Sequence, residues 1–149
     1  MRRPYPDGRP PSIRDFMAFE EHIVNARRNR PHPPREVPPA WYEIPVFYFT
    51  NPGAVFSDGD EVPRPADTEQ LDYELELACV IGADGRPGGF TIMNDFSARD
   101  LQAHEMTVGL GPAKGKDFAT ALGPVIGSGT VGRGCILEHA DGRWLAPGR

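Results

Sequence analysis

Residues 71 to 80, LDYELELACV, concentrate carboxylates in a segment that has the composition of a β-strand. Side chains alternate between the two faces of a strand, so Asp72, Glu74 and Glu76 point to one side. Carboxylates two positions apart lie about 7 Å from each other, and no Lys or Arg interrupts them in the sequence. Two interpretations stay open at this point. The charged face meets water, as in many half-buried antiparallel strands, or a cation lies between the carboxylates.

Two further carboxylates are candidates for the same chemistry. Asp15 and Asp95 belong to other segments, and with Glu74 and Glu76 they make four hard oxygen donors. No His/Cys cluster competes as a softer site, so the set suits Mg²⁺, Mn²⁺ or Ca²⁺ rather than zinc. Each has a simpler explanation: Asp15 as a carboxylate at a helix start and Asp95 as a turn residue. Spacing alone does not assemble them into one site.

The segments that carry these residues are short and separated by turns. Residues 12 to 24, SIRDFMAFEEHIV, predict an amphipathic helix with Ser12 as N-cap. Asp15 and His22 would then share one face, two turns apart. A proline-rich connector follows, RPHPPREVPP, which is neither helix nor central strand.

The rest of the chain predicts strands, turns and one short helix. The expected elements are a strand over 43–50, a turn at Asp58-Gly59, the strand at 71–80, a hairpin at GADGRPGG, a strand over 90–95, a helix in ARDLQAHEM capped by Ser97 with Asp100, a glycine-rich loop GLGPAKGKDF, and one or two tight strands in VIGSGTVGRGCILE.

Composition limits the classes of protein. A chain of 149 residues suits one domain, and 17 Gly with 17 Pro favour turns and strands. A net charge of −5 argues against a nucleic-acid partner. No apolar run reaches a membrane span, and the proline-rich start is no secretory signal. Cys79 and Cys135 form neither a disulfide framework nor a zinc pattern and are expected as core thiols. The sequence predicts a cytoplasmic protein.

Five runs resemble, in order, motifs of the fumarylacetoacetate hydrolase family: RDFMAFEEH, LDYELELACVIG, FTIMNDFSARDLQ, GPAKGKDF and GSGTVGRGCILE. The resemblance implies an α+β, mainly β fold, a mixed β-roll with an N-terminal helix. It favours a single domain over residues 1–149, with a helical arm and proline-rich connector at 1–40 and a β-rich catalytic-type core at 41–149.

The resemblance also implies roles for single residues. The family's carboxylates that bind a divalent cation, Mg²⁺ or alternatively Mn²⁺ or Ca²⁺, match Asp15, Glu74, Glu76 and Asp95. Lys116 matches the lysine that helps to hold metal and substrate. Gln102 and Thr130 match substrate-contacting residues. His22 matches the water-activating histidine, and Glu138 matches the glutamate that orients it.

The implied activity is hydrolysis of a carbon–carbon bond in a diketo or oxo acid, such as fumarylacetoacetate or an acylpyruvate, in the catabolism of aromatic compounds or aromatic amino acids. A metal ion activates a carbonyl group, a histidine deprotonates water, and a fixed cation stabilises the enolate that leaves. Alternatives within the family are isomerase, hydratase or decarboxylase chemistry. A different class is a non-catalytic homologue that binds metal or pairs subunits. Family members are usually homodimers.

The match also has departures. Residues 82–89 are shorter than the family's usual excursion, and GPAKGKDFATALGP runs directly into VIGSGTVGRGCILE, where relatives carry several tens of residues. Relatives also continue with a final strand pair after the point that matches WLAPGR. Met17 and Met106 stand where fumarylacetoacetate-specific members have tyrosines. We therefore expect an incomplete roll with an open sheet edge or an exposed apolar patch, and hence a dimer or larger species.

Overall fold

A computed structural model of the chain describes residues 10–28 and 36–127, and the backbone of two short strands beyond them. The strands are Arg14–Phe16 (β1), Phe47–Phe49 (β2), Val55–Ser57 (β3), Leu71–Asp72 (β4), Leu75–Ile81 (β5), Pro87–Asp95 (β6), Ser97–Ala98 (β7), Thr120–Leu122 (β8), Leu137–Glu138 (β9) and Trp144–Leu145 (β10). The α-helices are Glu20–Arg28 (α1), Ala40–Glu43 (α2) and Arg99–Glu105 (α3). The fold is α+β and mainly β, as the sequence predicts.

A four-stranded sheet with the order β3-β8-β6-β5 forms the centre of the described structure. β3 and β8 are parallel, and the other neighbours are antiparallel. β1 pairs with β2, β4 with β7, and β9 with β10, each antiparallel. Within the part of the chain that the structure describes, no helix has the length and apolar character needed to cross a membrane.

The predicted hairpin and turn are confirmed. The Gly82 amide donates to the Arg86 carbonyl at 2.8 Å, and Gly85 has a φ of 74°, which closes the β5–β6 connection. The Asp58-Gly59 turn is also present, with a φ of 84° at Gly59. Most of the predicted strand segment VIGSGTVGRGCILE lies outside the described residues, as does Cys135.

The helix predicted over residues 12–24 is wrong in its first half. Residues 14–16 form β1, and α1 begins only at Glu20. The reason is tertiary: Asp15 lies opposite Tyr48, and the Phe16 ring lies 5.1 Å from that of Phe47. Such pairing overrides a weak local helix preference. Ser12 does not cap a helix but accepts a hydrogen bond from the Arg14 guanidinium at 3.0 Å.

Three further local predictions need correction. The strand expected over 43–50 is limited to β2, and α2 ends at Glu43. The segment 71–80 is broken into β4 and β5, which belong to different sheets. The predicted helix α3 has Ala98 at its cap without a side-chain hydrogen bond, because the Ser97 hydroxyl donates to the Asp95 carbonyl instead.

The two faces of the β5–β6 pair differ sharply. On one face of β6, Thr91, Met93 and Asp95 are buried. On the other face, Leu77 of β5 lies opposite Ile92 of β6, and their exposed fractions are 48% and 61%. The carboxylates therefore lie on the covered face of the sheet, and an apolar surface lies open on the opposite face.

Candidate metal-binding and catalytic site

Lys116 lies at the centre of the carboxylates on the covered face. It is only 4% exposed. Its Nζ donates to Glu74 Oε2 at 2.8 Å, to Asp95 Oδ2 at 2.5 Å and to Ser97 Oγ at 2.7 Å. All three ammonium hydrogens have acceptors, which a buried charge requires. The loop before β8 thus supplies the cation, β6 supplies Asp95, and the residue before β5 supplies Glu74.

Tyr48 joins a further carboxylate to this group. Its hydroxyl lies 3.2 Å from Asp15 Oδ2 and also contacts Asp95 Oδ2. Burial, followed by the negative charges of Glu76 and Asp95, raises the pKa of Asp15 to about 7. Burial and the two adjacent carboxylates also raise the pKa of Tyr48. The phenol therefore stays protonated and can serve as a hydrogen-bond donor between β1 and β6.

Arg99 is a second cation in the site. It donates to Glu74 Oε1 at 2.6 Å through one nitrogen and to Asp72 Oδ2 at 2.8 Å through another. Burial raises the pKa of Glu74, but the ion pairs with Lys116 and Arg99 outweigh burial and lower it. Asp72 and Glu74 thus have cationic partners from distant positions, a contribution that the sequence of the 71–80 segment does not reveal.

Glu76 has less positive charge around it. Burial, then the charges of Glu74 and Asp95, raise its pKa, while His22 and Lys116 act in the opposite direction. His22 lies on an exposed part of α1, a different element from the strand β1 that carries Asp15. Its role as the base that activates water stays a prediction.

The other predicted site residues are placed only in part. Gln102 lies on α3, and its side-chain oxygen accepts a hydrogen bond from Arg99 at 3.1 Å. Thr130 lies outside the described residues. Glu138 belongs to β9, where only the backbone is described. The proposed substrate and orienting roles of these three residues stay predictions.

Three polar residues of the site are not predicted as site residues from the sequence, although one of them is named there as a helix cap: Tyr48, Ser97 and Arg99. One signal for Tyr48 was present, since it alternates with Phe47 and Phe49 on β2 and therefore points to the other face of that strand. Ser97 and Arg99 lie two and four positions after Asp95 in the chain. Their proximity to a candidate metal ligand was a second signal.

The chemistry of the donor set fits a divalent cation. Asp95 is fully buried, and its Oδ1 has no hydrogen-bond partner. A buried carboxylate oxygen normally has such a partner. Burial, followed by the charges of neighbouring carboxylates, raises the pKa of both Asp15 and Glu76, and a cation bound between the acids would oppose the second of these causes. As the side chains stand, no three His, Cys, Asp or Glu among the described residues are arranged to hold a metal ion. The Lys116 ammonium lies between two of the acids instead.

Comparisons with known proteins identify the family. The fumarylacetoacetate (FAA) hydrolase C-terminal family model matches residues 12–138. A fumarylacetoacetase from Oryza sativa subsp. japonica is 32% identical over 139 residues, which cover 75% of this chain and 32% of that protein. The chain belongs to the fumarylacetoacetate hydrolase family. It spans about a third of the length of the curated relatives that it matches.

Solved structures agree on the fold. A 2-keto-3-deoxyarabinonate dehydratase has 27% identity and a TM-score of 0.56, with 79% of this chain and 42% of that chain covered. A fumarylpyruvate hydrolase from Pseudomonas aeruginosa, solved with Mn²⁺ and pyruvate, has 22% identity and a TM-score of 0.52, with 76% and 52% covered. The described structure is therefore an incomplete form of the family's α+β fold.

Proposed function

We propose that this chain is a divalent-metal-dependent hydrolase that cleaves a carbon–carbon bond in a diketo or oxo acid. The observation that supports the proposal best is the convergence of Glu74 and Asp95 on the buried Lys116, with Asp15 joined to Asp95 through the Tyr48 hydroxyl. The fumarylacetoacetase names of the relatives support the substrate class. A role in aromatic catabolism, a cytoplasmic location and a homodimer belong to the same proposal.

The proposed cation ligands are Asp15, Glu74, Glu76 and Asp95. A bound divalent cation would supply Lewis-acid activation of a carbonyl group. Mg²⁺, Mn²⁺ and Ca²⁺ all accept carboxylate oxygens. Burial and, after it, repulsion between the carboxylates raise the pKa of Asp15 and Glu76, and ligation would relieve the repulsion.

The chain's own residues would then move the proton and stabilise the negative charge that develops. His22, exposed on α1, would take a proton from the attacking water, with Glu138 orienting it. Lys116 would place its ammonium opposite the negative charge that develops on the leaving enolate. Gln102 and Thr130 would contact the substrate.

Hydratase chemistry is the alternative with a specific observation in its favour, because a dehydratase structure is similar at 27% identity and a TM-score of 0.56. Isomerase and decarboxylase reactions would use the same groups. A non-catalytic role in metal binding or subunit pairing is favoured by the open apolar face of the sheet. Turnover assays with an acylpyruvate and a 2-keto-3-deoxy acid distinguish these reactions.

The first experiment is a thermal-shift titration with Mg²⁺, Mn²⁺ and Ca²⁺. A ligand that binds only the folded state stabilises it by about 2.7 kcal/mol at 100 times its Kd, so the melting temperature should rise. Glu76→Gln should abolish most of the rise, because it replaces a carboxylate oxygen with an amide. Glu61→Gln, on an exposed loop, is the matched control. An equal rise in Glu76→Gln would remove Glu76 from the ligand set.

A further inference from the structure

The carboxylate of Glu105, at the end of α3, binds three successive backbone amides of the loop before Lys116. Its Oε1 accepts from Ala113 N at 2.9 Å and Gly115 N at 3.0 Å, and its Oε2 accepts from Lys114 N at 2.7 Å. Successive amides that converge in this way form a concavity suited to an anion. Here the anion is a side chain of the same chain.

A second contact fixes the same loop to α3, one turn earlier on the helix. A Cβ on Gly115 would lie 2.7 Å from the Gln102 Cβ and 2.8 Å from its backbone nitrogen. The Gly115 carbonyl also accepts from the Ala98 amide at 2.7 Å. The backbone immediately before Lys116 is therefore held at two positions along α3, by packing against Gln102 and by charge-assisted hydrogen bonds to Glu105.

This anchoring matters because Lys116 has a long, flexible side chain in a buried position. Ordering a lysine side chain costs conformational entropy, and a buried ammonium is tolerated only where its partners are in place. The three acceptors of Lys116 belong to β6, β7 and the residue before β5, all of them outside the loop. A loop shifted by about 1 Å would break contacts with a limit near 3.2 Å.

We propose that Glu105 is a positioning residue: its carboxylate holds the 113–115 amides so that the Lys116 ammonium lies among Glu74, Asp95 and Ser97. The catalytic meaning of this position rests on the function proposed above, but the position itself can be tested without turnover. Burial raises the pKa of Glu105, while the three backbone donors lower it by more, so it stays ionised at neutral pH.

The sequence offers an internal control for the test, because the chain has only two lysines, Lys114 and Lys116. Lys114 is exposed and Lys116 is buried. Brief acylation with an N-hydroxysuccinimide ester, followed by digestion at residues other than lysine and mass spectrometry, gives the labelling ratio of the two amines. In the wild-type chain, we expect Lys114 to react at least about tenfold faster, since Lys116 is covered and ion-paired.

The variants are Glu105→Ala and Glu105→Gln, with Glu61→Gln as the control. In Glu105→Ala we expect labelling of Lys116 to approach that of Lys114. In Glu105→Gln, which keeps the side-chain volume, we expect a smaller increase, because one acceptor oxygen becomes a donor that faces an amide. If Glu105→Ala does not melt cooperatively, Glu105→Gln decides the question. A folded Glu105→Gln chain with the wild-type labelling ratio would overturn the proposal.

Turnover provides a separate measurement. Where the wild-type chain cleaves a diketo acid, Glu105→Gln should lower kcat by about tenfold or more with little change in KM, because Lys116 acts on charge that develops in the transition state. A tenfold rise in KM with an unchanged kcat would contradict a positioning role. If the wild-type chain has no turnover but Lys116 becomes reactive in the Glu105 variants, the proposed function fails and the positioning role stands.

Discussion

At the scale of single residues, charge balance governs the site. Asp15 and Glu76 have raised pKa values, whereas Glu74 has a lowered one. The difference follows the cations: Lys116 and Arg99 both contact Glu74. Positive charge is therefore concentrated around Glu74. An added cation would be stabilised most beside Asp15 and Glu76.

The raised pKa of Asp15 predicts how stability depends on pH without metal. Its folded-state pKa is about 7, above its ordinary 3.8, so its contribution to the free energy of unfolding is fully present below about pH 3.8. The contribution is lost as the pH rises through about 7. Asp15→Asn should therefore show a smaller decrease in melting temperature than the wild-type chain between pH 5 and 8, measured in metal-free buffer. Parallel pH curves for the two chains would contradict the prediction.

Lys116 and His22 should have separable effects. His22→Ala should lower turnover of an acylpyruvate by about 10²- to 10⁴-fold, as loss of a general base does, and should keep the metal-dependent rise in melting temperature. Lys116→Met should also lose turnover. Because it removes the ammonium that occupies Glu74 and Asp95, it should bind cations at least as tightly. Weaker cation binding in Lys116→Met would instead make Lys116 a supporting part of the metal site.

At the scale of elements, the site residues lie in or beside the connecting segments. Lys116 belongs to the loop of residues 113–117, which α3 contacts. Asp95 and Ser97 lie on either side of the β6–β7 junction. Glycine at position 115 is required by close approach rather than by φ, since a Cβ would overlap the helix backbone at Gln102.

We therefore expect Gly115→Ala to destabilise the chain by about 1–3 kcal/mol, the usual cost of overpacking, and to raise the reactivity of Lys116 toward amine reagents. Gly88→Ala is the matched control, because its nearest neighbour would be the Val80 carbonyl at 3.5 Å, an ordinary contact. Denaturant unfolding measures the stability of both variants. Equal stability losses in the two variants would show that the contact with Gln102 has no special cost.

The sequence predicts elements best where the local signal and the tertiary structure agree. β6 and its hairpin follow from alternation and glycine turns within one short stretch. β1 was missed because its three residues pair with a strand more than thirty positions away, and the spacing of Phe16, Met17 and Phe19 also fits a helix. Tyr48 was missed for the same reason, since its partners Asp15 and Asp95 come from other elements.

At the scale of the whole molecule, the open face of the central sheet is the main departure from an ordinary globular domain. Leu75, Leu77 and Ile92 are 72%, 48% and 61% exposed. An open cleft of about 260 Å³ adjoins Ile92, with Phe96 and Leu122 in its lining. β5 has no neighbour on its outer side within its described sheet. Exposed apolar surface next to an open strand edge favours association.

We expect the chain to sediment as a dimer or larger species and to shift toward monomer in Ile92→Lys, because a charge on this face would have to be buried on association. Val108→Lys is the matched control: Val108 is 80% exposed but lies in the turn after α3, away from the sheet. Sedimentation velocity over a range of concentrations measures the change, and cooperative melting checks that both variants fold. A wild-type monomer that melts cooperatively, or equal effects of the two substitutions, would contradict association through this face.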